Sequence, residues 1–240
     1  MKDTALDARL RSAAAFVRQG AVFADVGTDH AYLPVFLLKA GVIERAVCAD
    51  INEGPLAAAS RTLADNNLSD RAELVLTDGA AALAGRGITD YAICGMGGEL
   101  IASIIAAAPH LFDTGVRLIL QPMTRQSTLR AELYRMGFRI LEERYSSADG
   151  RYYVCMLVEY CGESAELSGV LSEIGVNPDI DGGSAEYIGY LETRYKALLR
   201  AAEGKRAGGA DISDELALLN AIKTETERIK EVPNDRKRGI

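Results

Sequence analysis

The chain has 240 residues, a hydrophobic content of 48% and a formal net charge of −7 at pH 7. That length allows one large domain or a domain with an appendage, and the apolar content is ample for a core. The acidic balance excludes a protein that holds nucleic acid through overall basic character, so any RNA contact must come from local charge.

Four cysteines, at positions 48, 94, 155 and 161, make no CxxC and no metal-ligand spacing, and two histidines are too few for a histidine metal site. No metal is expected. The N-terminus shows no signal-peptide core, and no apolar run reaches membrane-spanning length. The expectation is a reduced, cytoplasmic protein without a membrane partner, a monomer or weak dimer.

Residues 4–19 place Leu6, Leu10, Ala14 and Val17 on one stripe, which predicts an amphipathic helix. The stretch 22–50 follows, and the rest of the chain is organised around it. An apolar strand, residues 21–24, ends in Asp25. Gly27 and the polar turn Thr28-Asp29-His30 lead into an apolar helix over 31–40, closed by Gly41, and a second strand, 45–49, ends in Asp50. A strand, glycine turn, helix and strand of about 30 residues, with an acid roughly 20 beyond the turn, is the usual frame for a nucleotide-bearing cofactor.

The turn does not suit a pyrophosphate. Gly27 is its only glycine, Asp29 and Ala31 stand where a dinucleotide motif has further glycines, and Asp25 and Asp29 would repel a diphosphate. The missing glycines disfavour a nicotinamide dehydrogenase. Two carboxylates suit a ligand that carries an ammonium and a sulfonium, and S-adenosylmethionine is such a ligand. Capping of a helix and a turn by the same acids is the plainer alternative.

Further along, residues 52–67 predict a helix, 72–76 a strand leading to Asp78-Gly79, and 90–94 a strand leading to Gly95-Met96-Gly97-Gly98. A helix over 99–108 is stopped by Pro109. A strand over 116–121, a helix over 126–136 and two strands, 138–145 and 152–159, around an Asp149-Gly150 hairpin turn complete this part. The alternation predicts an open α/β sheet; ending on a hairpin gives it one antiparallel strand, the pattern expected of a Rossmann-like class I methyltransferase sheet.

After Cys161 the character changes. Residues 184–203 and 213–231 carry apolar residues at helical spacing on either side of a polar, glycine-rich turn, which predicts a C-terminal α-helical hairpin, coiled-coil-like. The predicted division is a cofactor-binding domain over 1–161 and a helical hairpin domain over 162–240. The tail NDRKRGI is predicted to fray.

On such a sheet a cofactor site forms at the C-terminal ends of the strands. Asp25 and Gly27 are expected under the methionine moiety, with His30 in the same turn. Asp50, with Ile51 beside it, is expected to hold the ribose, because an ionised acceptor makes the stronger hydrogen bonds. Asp78-Gly79 is expected to face the adenine amino group. Gly95 and Gly97 would let backbone come close to the methyl group, where side chains would obstruct.

In RLRSAAAFV, ADVGTDHAYLP, DGAAAL, YAICGMGGELI, LILQP with LRAELYRMGF, and ADGRYYVCMLVEY, the sequence resembles the bacterial tRNA (adenine-22-N1)-methyltransferase family, TrmK, over roughly residues 6–160. GTDHAYLP and GMGGELI are the more specific motifs. The helical hairpin is similar to the family's C-terminal coiled-coil domain by shape. One departure is Met123, where the family pattern has an asparagine after LILQP. It bears on placement of the target base more than on the cofactor.

The resemblance implies methyl transfer from S-adenosylmethionine to adenine N1 of tRNA, with tRNA as the partner. Adenine N1 already carries a lone pair, so positioning is the main task, and it can supply about 7–11 kcal/mol. The product base is cationic, so Asp29 is the candidate to stabilise it, assisted by the backbone at Gly95 and Met96. Candidate RNA contacts are Arg9, Tyr32, Gln121, Arg125 and Arg151. Between Arg117 and Arg151 there are seven Arg against four acids, and Lys2, Arg9, Arg11 and Arg18 add to a basic rim at the N-terminus. The rival reading is a non-catalytic RNA-binding or scaffold protein on the same fold, which Met123 and the net acidity favour.

Overall fold

A computed structural model describes residues 6–231, the side chains of residues 180–184 excepted. Lys2, Asp3, the start of the first predicted helix and the NDRKRGI tail lie outside the described residues. The strands are β1 (Phe23–Val26), β2 (Ala46–Asp50), β3 (Ala72–Leu76), β4 (Asp90–Gly97), β5 (Arg117–Thr124), β6 (Phe138–Ala148) and β7 (Arg151–Tyr160). The helices are α1 (Ala8–Ala14), α2 (Tyr32–Lys39), α3 (Glu53–Asp65), α4 (Gly98–Ala106), α5 (Gln126–Arg135), α6 (Gly169–Ile174), α7 (Ile180–Ala207) and α8 (Ser213–Glu231).

Among the described residues the strands form one sheet in the order β3-β2-β1-β4-β5-β7-β6. Strands β3, β2, β1, β4 and β5 are mutually parallel, and β7 runs antiparallel to both β5 and β6. Parallel alignment puts the C-terminal tips of five strands on one edge. The order reverses between β1 and β4, and a crevice opens at such a switch point.

The near-continuous apolar strands follow from burial on both faces. In β1, Ala24 and Val26 join one apolar cluster while Phe23 joins the other. In β7, Val154, Met156 and Val158 face the first cluster, and Cys155 and Leu157 the second. Successive side chains of a strand point to opposite faces, so both sets of side chains in the central part of these strands meet a packed layer. Helices α1, α2 and α3 cover one face. The other face is covered by α4, α5 and, beyond the predicted sheet domain, by Tyr187, Tyr190 and Leu191 of α7 with Ile222 and Ile229 of α8.

The helical hairpin is therefore fastened into the sheet's own core. Its fastening is polar as well. Arg130 on α5 and Glu143 on β6 are both fully buried, with Arg130 Nε donating to Glu143 Oε1 at 2.7 Å. The Arg130 guanidinium also donates to the Ser172 carbonyl at 2.8 Å and to the Tyr190 hydroxyl at 3.2 Å, and Glu143 Oε2 accepts from the Val176 N–H at 2.8 Å. The short helix α6 that presents Ser172 carries too few residues to show a periodic stripe, and the sequence reading does not predict it.

The first helix is shorter than its apolar stripe suggests. Asp7 caps it, accepting from the Leu10 N–H at 2.8 Å, so regular helix starts at Ala8. Strand β4 is longer than expected. It continues through the glycine segment to Gly97, with register shifts against β5 around Met96, and Gly95 sits at φ 81°. A bulge of this kind re-aims side chains at the end of a strand.

Candidate active site

The tips of β1, β2 and β4 enclose a cavity of about 540 Å³. Asp25 and Gly27 at the tip of β1 line it, together with Asp50 from β2 and Gly95 and Met96 from β4. Asp29, His30 and Tyr32, from the turn after β1, form its rim, and Arg9 of α1 closes one side. These nine expected residues meet in one place because parallel strands carry them to the same edge.

The turn itself is held in an uncommon backbone state. Gly27, Asp29 and Ala31 have φ values of 79°, 43° and 55°. Left-handed φ is rare outside glycine, and such residues concentrate at functional sites. Gly27 is favoured by its positive φ, and the Met96 terminal methyl occupies the space where a Cβ would lie.

Asp25 lies at the bottom, only 6% exposed. It accepts a hydrogen bond from the Thr28 hydroxyl at 2.8 Å. Burial pushes its carboxyl up to about 6. The Thr28 bond pulls it down, nearby Asp50 pushes it up, and Arg9 pulls it down. A carboxylate kept from water beside a second carboxylate is a receptor for a cation. Asp50 has one oxygen engaged by the Asn52 N–H at 2.9 Å, which orients the carboxylate, and its other oxygen has no partner among the described residues.

Asp29 and His30 are more open. The Asp29 Oδ1 to His30 Nε2 distance is 3.6 Å, and the two side chains are 74% and 45% exposed. His30 stacks on Tyr32 with ring centroids 5.2 Å apart. Tyr32 is thus a rim residue and not a core tyrosine, with its outer face available to a base.

Other expected residues lie elsewhere. Asp78 is exposed beyond the tip of β3, at the same edge but outside the cavity lining, and Gly79 packs beside Ile104. Ile51 is 58% exposed next to Asp50, also outside the lining. Gly97 is the residue that precedes α4.

Gln121 lies outside the cavity lining. It is fully buried, its Oε1 accepts from Arg9 Nη1 at 2.8 Å and from the Gly95 N–H at 3.1 Å, and its Nε2 donates to the Pro122 carbonyl at 3.2 Å. It brackets Arg9 and Gly95 together. Arg9 in turn points into the acidic cavity beside Gly95, away from any basic rim. Arg125 and Arg151 line a separate cavity next to the first.

The expected basic rim is mostly neutralised. Arg117, Arg130, Arg135, Arg139 and Arg144 pair with Glu159, Glu143, Glu132, Glu163 and Glu142. Local excess in the sequence is consumed by partners that strand pairing and helix spacing bring alongside.

Thr28 and the hairpin residues Asp149 and Tyr153 belong to the site and escape the sequence reading. Thr28 three residues after Asp25 was a usable signal, since a hydroxyl at that spacing can bond back to the acid. Asp149 and Tyr153 arrive through the long β6–β7 hairpin, and no local pattern marks them.

Among the described residues no group of three or more His, Cys, Asp or Glu could hold a metal ion, and no helix is long and apolar enough to cross a membrane. The donor set of the cavity, two carboxylates with close-lying glycine backbone, fits a cationic amino-acid nucleoside.

The pH dependence of ligand binding follows from Asp25. An ammonium needs the ionised carboxylate, so affinity for S-adenosylhomocysteine is expected to be level above pH 7. Below the Asp25 value of about 6 it should fall by about tenfold per pH unit. Stability moves the other way. The unfolded carboxyl titrates near 3.8 and the folded one near 6, so this group's contribution is most favourable in acid and is lost as pH rises between those values. Calorimetric titrations from pH 5 to 8, beside melting curves over the same range, read both signs.

Comparison with known proteins agrees with this geometry. A family model described as a methyltransferase domain matches residues 6–156. The tRNA (adenine(22)-N(1))-methyltransferase of Bacillus subtilis strain 168 is 30% identical over 176 residues, 73% of this chain and 74% of that protein. The Sp1610 protein of Streptococcus pneumoniae, solved in complex with S-adenosyl-L-methionine, superposes with a TM-score of 0.79 at 31% identity, covering 92% of this chain and 99% of that one. The B. subtilis M1A22 tRNA methyltransferase TrmK superposes with a TM-score of 0.75 at 26% identity, covering 96% and 99%. With a methyltransferase-domain model matching more than half of the chain and a curated relative 30% identical over 73% of it, the chain belongs to the tRNA (adenine(22)-N(1))-methyltransferase family.

Proposed function

We propose that the protein methylates N1 of adenine 22 in tRNA, in the cytoplasm, with S-adenosylmethionine as donor. The observation that carries this reading is the acidic cavity at the β1–β4 switch point, where Asp25, Asp50 and Gly27 meet. Asp25 would hold the ammonium of the cofactor and Asp50 the ribose hydroxyls. When bound, S-adenosylmethionine supplies a methyl group activated by its sulfonium.

The chain's own residues then have three tasks. Gly95 leaves its part of the cavity wall free of a Cβ, so a ligand can approach the backbone there, while the space over Gly27 is taken by the Met96 methyl. Tyr32, stacked on His30, offers a face to the unstacked adenine. Asp29 carries negative charge to the rim, where the product base becomes cationic. Because Asp29 is largely exposed, water screens it, and its effect is smaller than that of a buried group. The helical hairpin, residues 162–240, is proposed to dock the tRNA body.

The test is incubation of the purified protein with labelled S-adenosylmethionine and an unmodified tRNA transcript that carries adenine at position 22. 1-Methyladenosine at that position is the expected product, and its absence with cofactor bound would remove the substrate assignment. In the same assay Asp29→Ala is expected to lower kcat about tenfold, near 1.4 kcal/mol, with the affinity for S-adenosylhomocysteine retained. Lost affinity would move Asp29 into the cofactor site.

A further inference from the structure

Two cavities of opposite charge meet at the β6–β7 hairpin. Among the described residues the first is lined by five aspartates, Asp7, Asp25, Asp29, Asp50 and Asp149, against one arginine, Arg9. The second, of about 320 Å³, shares Met123 and Tyr153 with it as a common wall. Its lining holds Arg125, Arg151 and Arg194 and, among the described residues, no carboxylate.

The three cations differ in how far they are committed. Arg194 on α7 is fixed by Glu173 at 2.7 and 3.0 Å. Arg125 has only a loose contact, 3.7 Å from Glu99, with both side chains about two-thirds exposed; such pairs are weak. Arg151 makes no ion pair among the described residues. It is also one of the seven arginines between residues 117 and 151, and the one left without a carboxylate.

The backbone holds this cavity in shape. Arg125 takes φ 57°, and a Cβ at Gly98 would overlap the Arg125 carbonyl, so the GMGG segment and the arginine turn are locked together. Across the cavity, Tyr152 is 38% exposed and rests against α7 at Gly189, where a Cβ would overlap its ring. A glycine inside a long helix is unfavourable by itself; here it makes the notch that seats Tyr152.

We propose that the second cavity binds a phosphate flanking the methylated adenine, through Arg125 and Arg151, while Tyr152 offers its free face to a neighbouring base. The proposal rests on the RNA methyltransferase reading above. A nucleotide whose base enters the first cavity carries a phosphate on each side of its ribose. The aspartates repel that phosphate from the first cavity, and the adjoining arginines receive it. Separate charge environments thus sort a cationic cofactor from an anionic backbone. Met123 lies in the shared wall and marks the crossing point.

Steady-state methylation of an unmodified tRNA transcript tests this, with tRNA affinity measured across salt concentrations and S-adenosylhomocysteine affinity by calorimetry. R151E is expected to raise the KM for tRNA at least tenfold and to lower the slope of log affinity against log salt by about one. S-adenosylhomocysteine affinity should stay within twofold. R151K should keep most of the affinity, because a point charge still meets the phosphate. G189A should displace Tyr152 and raise KM without altering the salt slope; an unchanged KM would overturn the stacking arm. Wild-type KM and salt slope in the doubly substituted R125E/R151E protein would overturn the phosphate site. Failure of the wild-type protein to methylate the same tRNA would instead overturn the underlying reading.

Discussion

Asp25→Asn is expected to weaken S-adenosylhomocysteine binding about ten- to a hundredfold while leaving the unliganded protein at least as stable as wild type. The two effects share one cause. Asp25 is 6% exposed, accepts one bond from Thr28 at 2.8 Å and lies near Asp50. Above pH 6 the folded protein holds a desolvated charge there that the unfolded chain would keep in water. Asparagine removes the charge and its amide oxygen can still accept the Thr28 bond, so the desolvation cost of the anion is lifted. A cationic ligand does lose its buried anion, and a hydrogen bond between charged groups contributes roughly 1.5–3 kcal/mol. That range converts to the stated change in Kd. Calorimetry at pH 7.5 reads the binding and a thermal melt reads the stability. A Kd within twofold of wild type would show that Asp25 does not face the ligand.

Arg130→Met should produce the largest loss of stability among single substitutions of polar residues. Removing one partner of a fully buried ion pair leaves the other charge uncompensated, at a cost of about 3–5 kcal/mol. For a chain of this size that corresponds to a fall in Tm of roughly 6–20 °C. Glu143 would keep the Val176 N–H but lose its cation, and the Ser172 carbonyl and Tyr190 hydroxyl would lose a donor. Loosening should therefore concentrate in α6 and α7, seen as faster hydrogen exchange there than in β1 and β4. Arg135→Ala is the comparison. Its pair with Glu132 is exposed and lies within one helix, so its loss should leave the melting temperature close to that of wild type. Replacing Arg130 and Glu143 together by apolar residues should recover only part of the loss, because the Val176 N–H would then be orphaned. Equal melting temperatures for Arg130→Met and wild type would sink this account.

The contrast between these two sites also separates what local pattern can reveal from what it cannot. Asp25, Gly27 and Asp50 were legible because each ends a strand or a turn whose chemistry is local. An apolar run, then an acid, then a glycine at positive φ is a pattern within a few residues. Alternation of strands and helices made the parallel sheet legible too, and with it the edge on which the strand tips gather. Gln121 was misread because its role depends on a partner 112 positions away: strand β5 carries it under α1, where Arg9 takes its oxygen. Arg117, Arg130, Arg135, Arg139 and Arg144 were misread as a basic rim for the same reason. Their sequence shows their charge but not the glutamates that helix spacing and antiparallel pairing place beside them.

The sequence by itself thus determined the fold, the family and the gathering of Asp25, Gly27 and Asp50 at one cavity, because all three are written in short stretches whose order the parallel sheet preserves in space. Only the tertiary structure decided which charges remain free, that the helical hairpin shares the sheet's core, and that a basic cavity adjoins the acidic one. Each of those depends on contacts between segments far apart in the chain, and burial and pairing, not local composition, fix whether a charged side chain is spent or available.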